Sequence, residues 1–300
     1  MHLGNLARMR FVISTVALVV FVAACDTSEP SPATTEATTT TATVTTLTNG
    51  SPAVCAAGDS TFSTSGLVAA VGNEVADAAA LAALRWTDHG PCERLIVEFH
   101  NDAGTPASRL GLTGVSLLAE NGVIRLTLPP EVATTAINDS LIDGPLVHRI
   151  YVTRASEGQL AADIHLKPEA AAQVRALDAT SPARLVVDVR PADTDLVVAP
   201  ATVGNDVVLL SPASGPGLYP VRVAGYARPG TDAVRVQMYD ESRAVVLDRS
   251  VTTADAGNGW AWFDVALPDG PSGLIELYVG ELDDLDQTVP EGVTVELDLP

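Results

Sequence analysis

Residues 114–129, GVSLLAENGVIRLTLP, decide how the first half of this 300-residue chain folds. Two apolar runs flank Glu120-Asn121-Gly122 in this stretch. Asn-Gly between two apolar runs is a strong short-range signal for a β-hairpin, because both residues accept a positive φ. The stretch therefore predicts two antiparallel strands joined by a tight turn.

The same pattern of two apolar runs around a turn occurs again further along the sequence. LVHRIYVTR at 146–154 and QLAADIHLK at 159–167 flank a Ser156-Glu157-Gly158 turn and predict a second hairpin. RLIVEFH at 94–100 and RLVVDVRP at 184–191 read as further strands. About six strands with turns at regular intervals favour an antiparallel β domain, a sandwich or open barrel, over a βαβ fold.

Two segments of this half suggest other local structure. NEVADAAALAALR at 73–85 places its apolar residues at near-helical spacing, with Asn73 available as an N-cap, and predicts one helix. Pro168 opens PEAAAQVRALD, which is compatible with either a short helical or an extended piece. We place the boundaries of this first domain at residues 55–197.

The last third of the chain alternates persistently between apolar and polar residues. After a linker at 198–206, which contains Pro200 and Gly204, residues 207–300 hold seven short predicted strands. Seven strands in a span of about 100 residues are typical of an immunoglobulin-like sandwich. The predicted fold class is therefore all-β, with two antiparallel β domains.

Both domains resemble known bacterial families. CERLIVEFHN, HRIYVTR, EGQLAADIHL and SPARLVVDV, in that order, look like the AMIN-like domain of lipoproteins and secreted proteins. The resemblance covers about residues 55–195 and implies a β fold and a place in the cell envelope. AMIN domains proper precede peptidoglycan amidases and secretins and direct them there. These strand motifs carry no chemistry of their own.

The second resemblance covers nearly all of residues 206–300. SPASG, YPVRVAGYARPGTDAVRVQMYD, a later W..F stretch and GLIELYVGE are similar to the immunoglobulin-like domain of bacterial spore germination. This domain also ends many envelope lipoproteins, so the resemblance implies an extracytoplasmic interaction module. It implies nothing about sporulation.

The first 54 residues predict export and an anchor. Arg8 and Arg10 precede a 14-residue apolar run at 11–24, which is short beside the roughly 20 residues of a membrane-spanning helix. Val22-Ala23-Ala24-Cys25 resembles a bacterial lipobox, although valine replaces the commoner leucine. This resemblance implies cleavage of residues 1–24 and a diacylglyceryl group on Cys25. A plain secretory peptide and an uncut anchor are the alternatives.

Residues 25–54 predict a disordered tether. Eleven threonines, three acids and no aromatic residue follow Cys25 in this tract, which cannot bury enough apolar surface to fold. As a flexible coil it spans about 30 Å root-mean-square and at most ~100 Å when extended. It is either a bare spacer or an O-glycosylated one.

Cys55 and Cys92 are the remaining cysteines, an even pair on the oxidising side of the membrane if the chain is exported. We predict that they form a disulfide. Free thiols or a metal pair are the alternatives, but no Cys or His lies nearby at ligand spacing.

The charge balance disfavours polyanionic partners. The chain has 37 acidic and 17 basic residues, a net charge of −20, which makes nucleic acid an unsuitable partner. Residues 55–197 carry 10 basic and 18 acidic groups, and residues 198–300 carry 5 and 16. Because both segments are acidic on average, anionic wall polymers are also disfavoured as partners unless divalent cations bridge them.

The search for catalytic and metal motifs predicts no cofactor. The histidines form no HExxH motif, although His148 and His165 lie on adjacent predicted strands, and there is no GxSxG elbow. The acidic run from Glu281 to Asp286 fails as an EF-hand, because Val289 and Val295 occupy its glycine and glutamate positions. A weak calcium loop or a solvated loop remain as interpretations.

Trp260 and Trp262 are the candidate binding residues, since they share one face if their segment is extended. Exposed indoles at these positions would stack on sugar rings or anchor a partner, whereas core packing of at least one indole is the alternative.

Taken together, the sequence features predict a membrane-anchored, non-enzymatic lipoprotein on the extracytoplasmic face that acts as a binding or adaptor module. We expect its first domain to bind peptidoglycan or another wall glycan and its second domain to bind an envelope protein. The alternative function is an accessory subunit of an envelope complex without a glycan ligand.

Overall fold

The structure, a computed structural model, describes Cys55 and residues 62–155, 158–168, 170–193, 200–254, 257, 259–281 and 292–300. These residues all belong to one compact unit. They consist of strands and their connections, with one short 3₁₀ turn at Ala119–Asn121. The all-β class predicted from the alternating patterns is confirmed. In this part of the chain, no helix has the length and apolar character that crossing a membrane requires.

The N-terminal half contains eleven of the described strands. They are β1 (Gly66–Val71), β2 (Ala80–Asp88), β3 (Glu93–His100), β4 (Thr113–Leu118), β5 (Val123–Thr127), β6 (Thr134–Thr135), β7 (Asp139–Leu141), β8 (Val147–Arg154), β9 (Leu160–Leu166), β10 (Ala172–Ala179) and β11 (Arg184–Pro191). A five-stranded sheet of order β10-β11-β3-β2-β6 packs on strands β1-β4-β5-β9-β8 of a longer sheet.

Alternation along these strands sorts side chains between the core and the outer faces. In β3, Leu95, Val97 and Phe99 point into the core, while Arg94 and Glu98 lie on the other side of the sheet. Both predicted hairpins form, since β4 pairs with β5 and β8 pairs with β9, each antiparallel. In the first turn only Gly122 takes a positive φ, at 62°.

The C-terminal half contains the strands that the alternating pattern predicted, together with two short additions. They are β12 (Thr202–Val203), β13 (Val207–Ser211), β14 (Gly215–Pro216), β15 (Val221–Ala227), β16 (Ala233–Tyr239), β17 (Val245–Thr252), β18 (Trp260–Leu267), β19 (Gly273–Glu281) and β20 (Val293–Leu299). Sheet β14-β20-β19-β16-β17 packs on β12-β13-β15-β18 to enclose a second core.

One continuous sheet joins the two halves. Strand β18 runs parallel to β8, where Trp260 lies opposite Thr153 and Ala261 lies opposite Arg154. The joined sheet has the order β1-β4-β5-β9-β8-β18-β15-β13-β12, with β7 paired to β8. A third apolar cluster on this sheet draws on both halves and contains Val123, Tyr151, Val208, Leu210, Tyr226 and Trp260. The halves therefore share backbone pairing as well as buried surface.

The helix predicted at residues 73–85 is wrong. This segment enters β2 at Ala80, and Leu81 is fully buried in the core. The preceding residues are held by Asp77, whose carboxylate accepts hydrogen bonds from the backbone N–H groups of Ser108 and Arg109 at 2.7–3.0 Å. Pairing of β2 with β3 outweighs the local helical preference of an alanine-rich run. The ambiguous segment after Pro168 is extended as β10.

Candidate functional site

The two predicted binding residues, Trp260 and Trp262, do not form an exposed pair. Trp260 is only 3% exposed, and its ring makes an edge contact with Tyr151 at 4.8 Å between centroids. The indole Nε1 of Trp260 donates to Asp139 Oδ2 at 3.1 Å. Trp260 is therefore a core residue of the contact between the halves, as the core-packing alternative expected for at least one indole.

Trp262 is half-buried beside the same contact. The guanidinium of Arg125 lies 4.8 Å from the centre of its ring, while Asp163 accepts two hydrogen bonds from Arg125 at 2.8 and 2.6 Å. Burial alone would lower the pKa of the Arg125 guanidinium. The hydrogen bonds to Asp163 outweigh this effect, so that the pKa is raised. Trp262 is thus held by a charged pair from the other half, which leaves less of its ring for a ligand.

His165 is a buried member of this contact. Its Nε2 is hydrogen bonded to the Tyr226 hydroxyl, and the ring makes an edge contact with Tyr151 at 5.0 Å. Burial lowers the pKa of His165 to about 4, and burial also raises the pKa of Tyr151 to about 12. The two residues are therefore uncharged near neutral pH and serve as packing and hydrogen-bonding groups.

His148 and His165 lie on the paired strands β8 and β9, as predicted. Their rings have different polar partners, however. His148 Nδ1 lies 3.9 Å from the exposed carboxylate of Asp143, which also pairs with Lys167 at 3.2 Å. Among the residues that the structure describes, no group of three or more His, Cys, Asp or Glu side chains is arranged to hold a metal ion.

The predicted disulfide between Cys55 and Cys92 is present in the structure, with a Cα–Cα distance of 5.9 Å. Cys92 is buried directly before β3. The next residue, Glu93, is also buried and accepts hydrogen bonds from the Trp86 indole and from the backbone N–H groups of Leu146 and Val147. The bridge therefore joins the start of the folded region to a well-anchored part of the first sheet.

The outer face of the β10-β11-β3-β2 sheet carries a cross-strand row of charges. The register places Arg175 opposite Asp188 and Asp188 opposite Arg94. Asp188 accepts from Arg94 at 2.6 and 2.8 Å and from Arg175 at 2.5 Å. Although burial opposes ionisation of this fully enclosed carboxyl, the two guanidiniums outweigh it and lower the pKa of Asp188.

A second carboxylate on this face is also shared by two arginines. Glu98 lies 3.1 Å from Arg85 Nε and 3.5 Å from Arg184 Nε. A fifth guanidinium, that of Arg190, bonds to the neutral amide oxygen of Gln173 and stacks on the Phe62 ring at 3.9 Å. Among the described residues, each of the two carboxylates therefore contacts two arginines, whereas Arg190 contacts an amide oxygen and an aromatic ring.

We call these seven side chains the arginine face. Its members are Arg85, Arg94, Arg175, Arg184, Arg190, Glu98 and Asp188. Among the described residues, this sheet surface carries five arginines and two carboxylates in a chain whose net charge is −20. Half of the ten basic residues between positions 55 and 197 lie on this surface.

The arginine face is partly open to solvent. The side chain of Arg85 is 62% exposed and that of Arg184 is 24% exposed, whereas Arg94 and Arg175 are buried beneath. Guanidiniums present a planar fork of N–H donors that matches an oxyanion. The chemistry that this arrangement supports is therefore recognition of anionic groups.

Sequence reasoning missed this face because it averaged charge over whole domains. The signal was available in the period-two pattern, since Arg94 and Glu98 alternate with core residues in β3, and Arg184, Asp188 and Arg190 do so in β11. What the pattern did not supply was the neighbour relationship of β10, β11, β3 and β2, which depends on long-range pairing.

The other predicted sites lie outside the described residues. This applies to Cys25, to the leader and tether at residues 1–54, and to the acidic run at 283–286. Comparison of the chain with protein-family models, with curated proteins and with solved structures gave no match.

Proposed function

We propose that this chain is an exported, membrane-anchored and non-catalytic binding module of the cell envelope. In this proposal the N-terminal half holds a wall glycan and the C-terminal half contacts a protein. The observation that carries the proposal is the arginine face, because it concentrates hydrogen-bond donors and positive charge on the outer surface of an otherwise acidic half.

Export is supported by the apolar leader at 11–24 and by the bridge between Cys55 and Cys92. Disulfides persist in oxidising compartments and are rare in the cytosol. Acylation of Cys25 would attach the chain to the membrane, because two acyl chains suffice for stable anchoring. Treatment with globomycin and mass spectrometry of the mature N-terminus test this step, and an unmodified Cys25 would contradict it.

A fixed arrangement of the two halves suits an adaptor. The halves share the β8–β18 pairing and the cluster around Tyr151, Tyr226 and Trp260. A ligand on the arginine face and a protein on the other half would then be held at a fixed separation, while the 25–54 tether sets the reach from the membrane. We propose no catalytic role, and we expect a zymogram on wall material to stay blank under varied metals.

The test of wall binding is cosedimentation of the mature, full-length chain with purified sacculi. We expect the chain to pellet with sacculi at low and moderate ionic strength. No retention at moderate salt would contradict wall binding and would favour the alternative, an accessory subunit whose surfaces contact only proteins.

A further inference from the structure

We infer that Asn121 is a site of spontaneous deamidation whose rate is set by the contact between the two halves, and that its conversion to aspartate releases part of that contact. The site is the turn between β4 and β5, in which Asn121 is followed directly by Gly122. The inference goes beyond the proposed function, because it names a chemical modification of the chain and requires no ligand.

The reaction needs only the chain and water. The backbone nitrogen of Gly122 loses its proton and attacks Cγ of the Asn121 side chain. A bond forms between this nitrogen and Cγ, the bond from Cγ to Nδ2 breaks, and Nδ2 leaves as ammonia with the proton. Water then opens the succinimide ring at either of its carbonyl groups, which leaves aspartate or isoaspartate. Glycine favours the attack, because it has no Cβ to hinder the approach of its nitrogen.

Two hydrogen bonds hold the reacting groups in the folded chain. The Nδ2 atom of Asn121 donates to the backbone oxygen of Leu210, which belongs to the other half, at 2.9 Å. The backbone N–H of Gly122 donates to Ala119 O at 3.2 Å. The first bond fixes the amide group that is attacked, and the second uses the proton that the attacking nitrogen must lose. The folded turn therefore disfavours the reaction.

The partner of Asn121 lies inside the contact between the halves. Leu210 is only 8% exposed and belongs to the apolar cluster that also contains Val123 and Tyr226. Val123 follows the turn directly, and Leu118, which precedes the turn, packs against the same cluster. The amide of Asn121 therefore leaves Leu210 O when this part of the contact opens. Local opening needs less free energy than global unfolding, so the reaction proceeds from the opened contact.

Deamidation removes the donor of the bond between the halves. Aspartate at position 121 would place a carboxylate against the carbonyl oxygen of Leu210, and two acceptors without a donor between them are unfavourable. Isoaspartate also inserts a methylene into the main chain of the turn, which changes the spacing between β4 and β5. Neither product restores the bond when the contact closes again. The modification is therefore a one-way release of this part of the contact.

The first experiment measures the rate of deamidation in the full-length mature chain at mildly alkaline pH. Peptide mapping with mass spectrometry quantifies aspartate and isoaspartate at position 121, and the same chain unfolded in guanidinium chloride is the reference. The test variant, Tyr226→Phe, removes the hydroxyl that is hydrogen bonded to His165 across the contact. Tyr219→Phe is the matched control, since its hydroxyl donates to Pro271 O within the C-terminal half. Thermal unfolding verifies that each variant is folded.

We expect Asn121 to deamidate at least about tenfold more slowly in the folded chain than in the unfolded chain, because opening must precede the reaction. Tyr226→Phe should raise the rate in the folded chain at least about threefold, whereas Tyr219→Phe should leave it unchanged. Equal rates in the folded and unfolded chains would overturn the protection of Asn121. An unchanged rate in folded Tyr226→Phe would show that the contact between the halves does not set the rate.

The second experiment tests the release with Asn121→Asp. The control is Asn205→Asp, which makes the same change of charge at an exposed position between β12 and β13. We expect amide hydrogen exchange at the start of β18, where Trp260 and Ala261 pair with β8, to become at least about threefold faster in Asn121→Asp alone. Equal exchange in the two variants would overturn the release.

Discussion

His165 of β9 and Tyr226 of β15 are hydrogen bonded across the contact between the two halves. Each is buried, and each lies on the side of the joined sheet that faces away from its own core. His165 and Tyr226 are separated by 61 positions in the sequence. It links the halves through a polar contact beside the apolar cluster that contains Tyr151, Tyr226 and Trp260.

Replacing Tyr226 by Phe should weaken the contact between the halves. The change leaves the Nε2 atom of His165 buried without this partner, and an unsatisfied buried polar group costs about 1–3 kcal/mol. Urea unfolding followed by tryptophan fluorescence measures the loss, since Trp260 lies 6.1 Å from the Tyr226 ring. Tyr219→Phe is the control, because that hydroxyl donates to Pro271 O at a half-buried position in the C-terminal half. Equal losses for both variants would contradict a special role for Tyr226.

Stability should fall as the pH falls from about 6.5 to about 4 because of His165. Burial lowers the pKa of His165 from 6.5 to about 4, so the unfolded chain binds a proton in this window and the folded chain does not. The contribution of neutral His165 is complete above pH 6.5 and is lost as the pH falls through the window, about 3 kcal/mol in total. Asp163 works against this shift, whereas His148, Arg125 and Arg149 add to it.

The measurement is the free energy of unfolding in urea at a series of pH values. His165→Gln should flatten the slope between pH 6.5 and 4, while His89→Gln should keep it, because His89 is exposed and is not among the groups that act on His165. A slope that survives in His165→Gln would assign the pH dependence to carboxylates instead.

The sequence predicted the strands of this fold better than their partners. Alternation in β4 and β20 follows from local burial on one side of a sheet, so it can be read without knowing the neighbours. The parallel pairing of β8 with β18 cannot be read in this way, because only two residue pairs make it and they are more than 100 residues apart. The sequence therefore indicated two domains and gave no sign of their shared sheet.

The candidate site shows the same division. Cys55 and Cys92 were identified as a pair because cysteines are few and their chemistry is specific. Trp262 and Trp260 were identified by residue type, but burial against Tyr151 and Tyr226 from separate strands decides how much of each indole is free. The sequence pattern does not show which residues are brought together when distant strands pair.

Removing the disulfide should destabilise the N-terminal half. Cys55 and Cys92 are separated by 37 residues, and closing a loop of that size is worth about 4 kcal/mol on the chain-entropy model. The double variant Cys55→Ser, Cys92→Ser should unfold at lower urea concentration and should lose its sensitivity to dithiothreitol. Non-reducing peptide mapping of the unmodified chain provides the control, and free thiols at both positions would contradict the bridge.

Replacing Asp188 by Ala should be among the most damaging single changes in the N-terminal half. Asp188 is fully buried and accepts bonds from Arg94 and Arg175, both of which are also buried. Removing it takes away the carboxylate that these two enclosed guanidiniums share, and breaking a buried ion pair in this way costs about 3–5 kcal/mol.

Asp264→Ala is the matched control for Asp188→Ala. Asp264 accepts two hydrogen bonds from Arg222 at 3.0 and 2.5 Å, so the geometry of this pair is similar, but it lies at the surface. An exposed pair is worth about 0–1 kcal/mol, because solvent and salt screen it. Urea unfolding should separate the two variants clearly. Similar losses would show that Asp188 contributes no more to the free energy of unfolding than a surface carboxylate does.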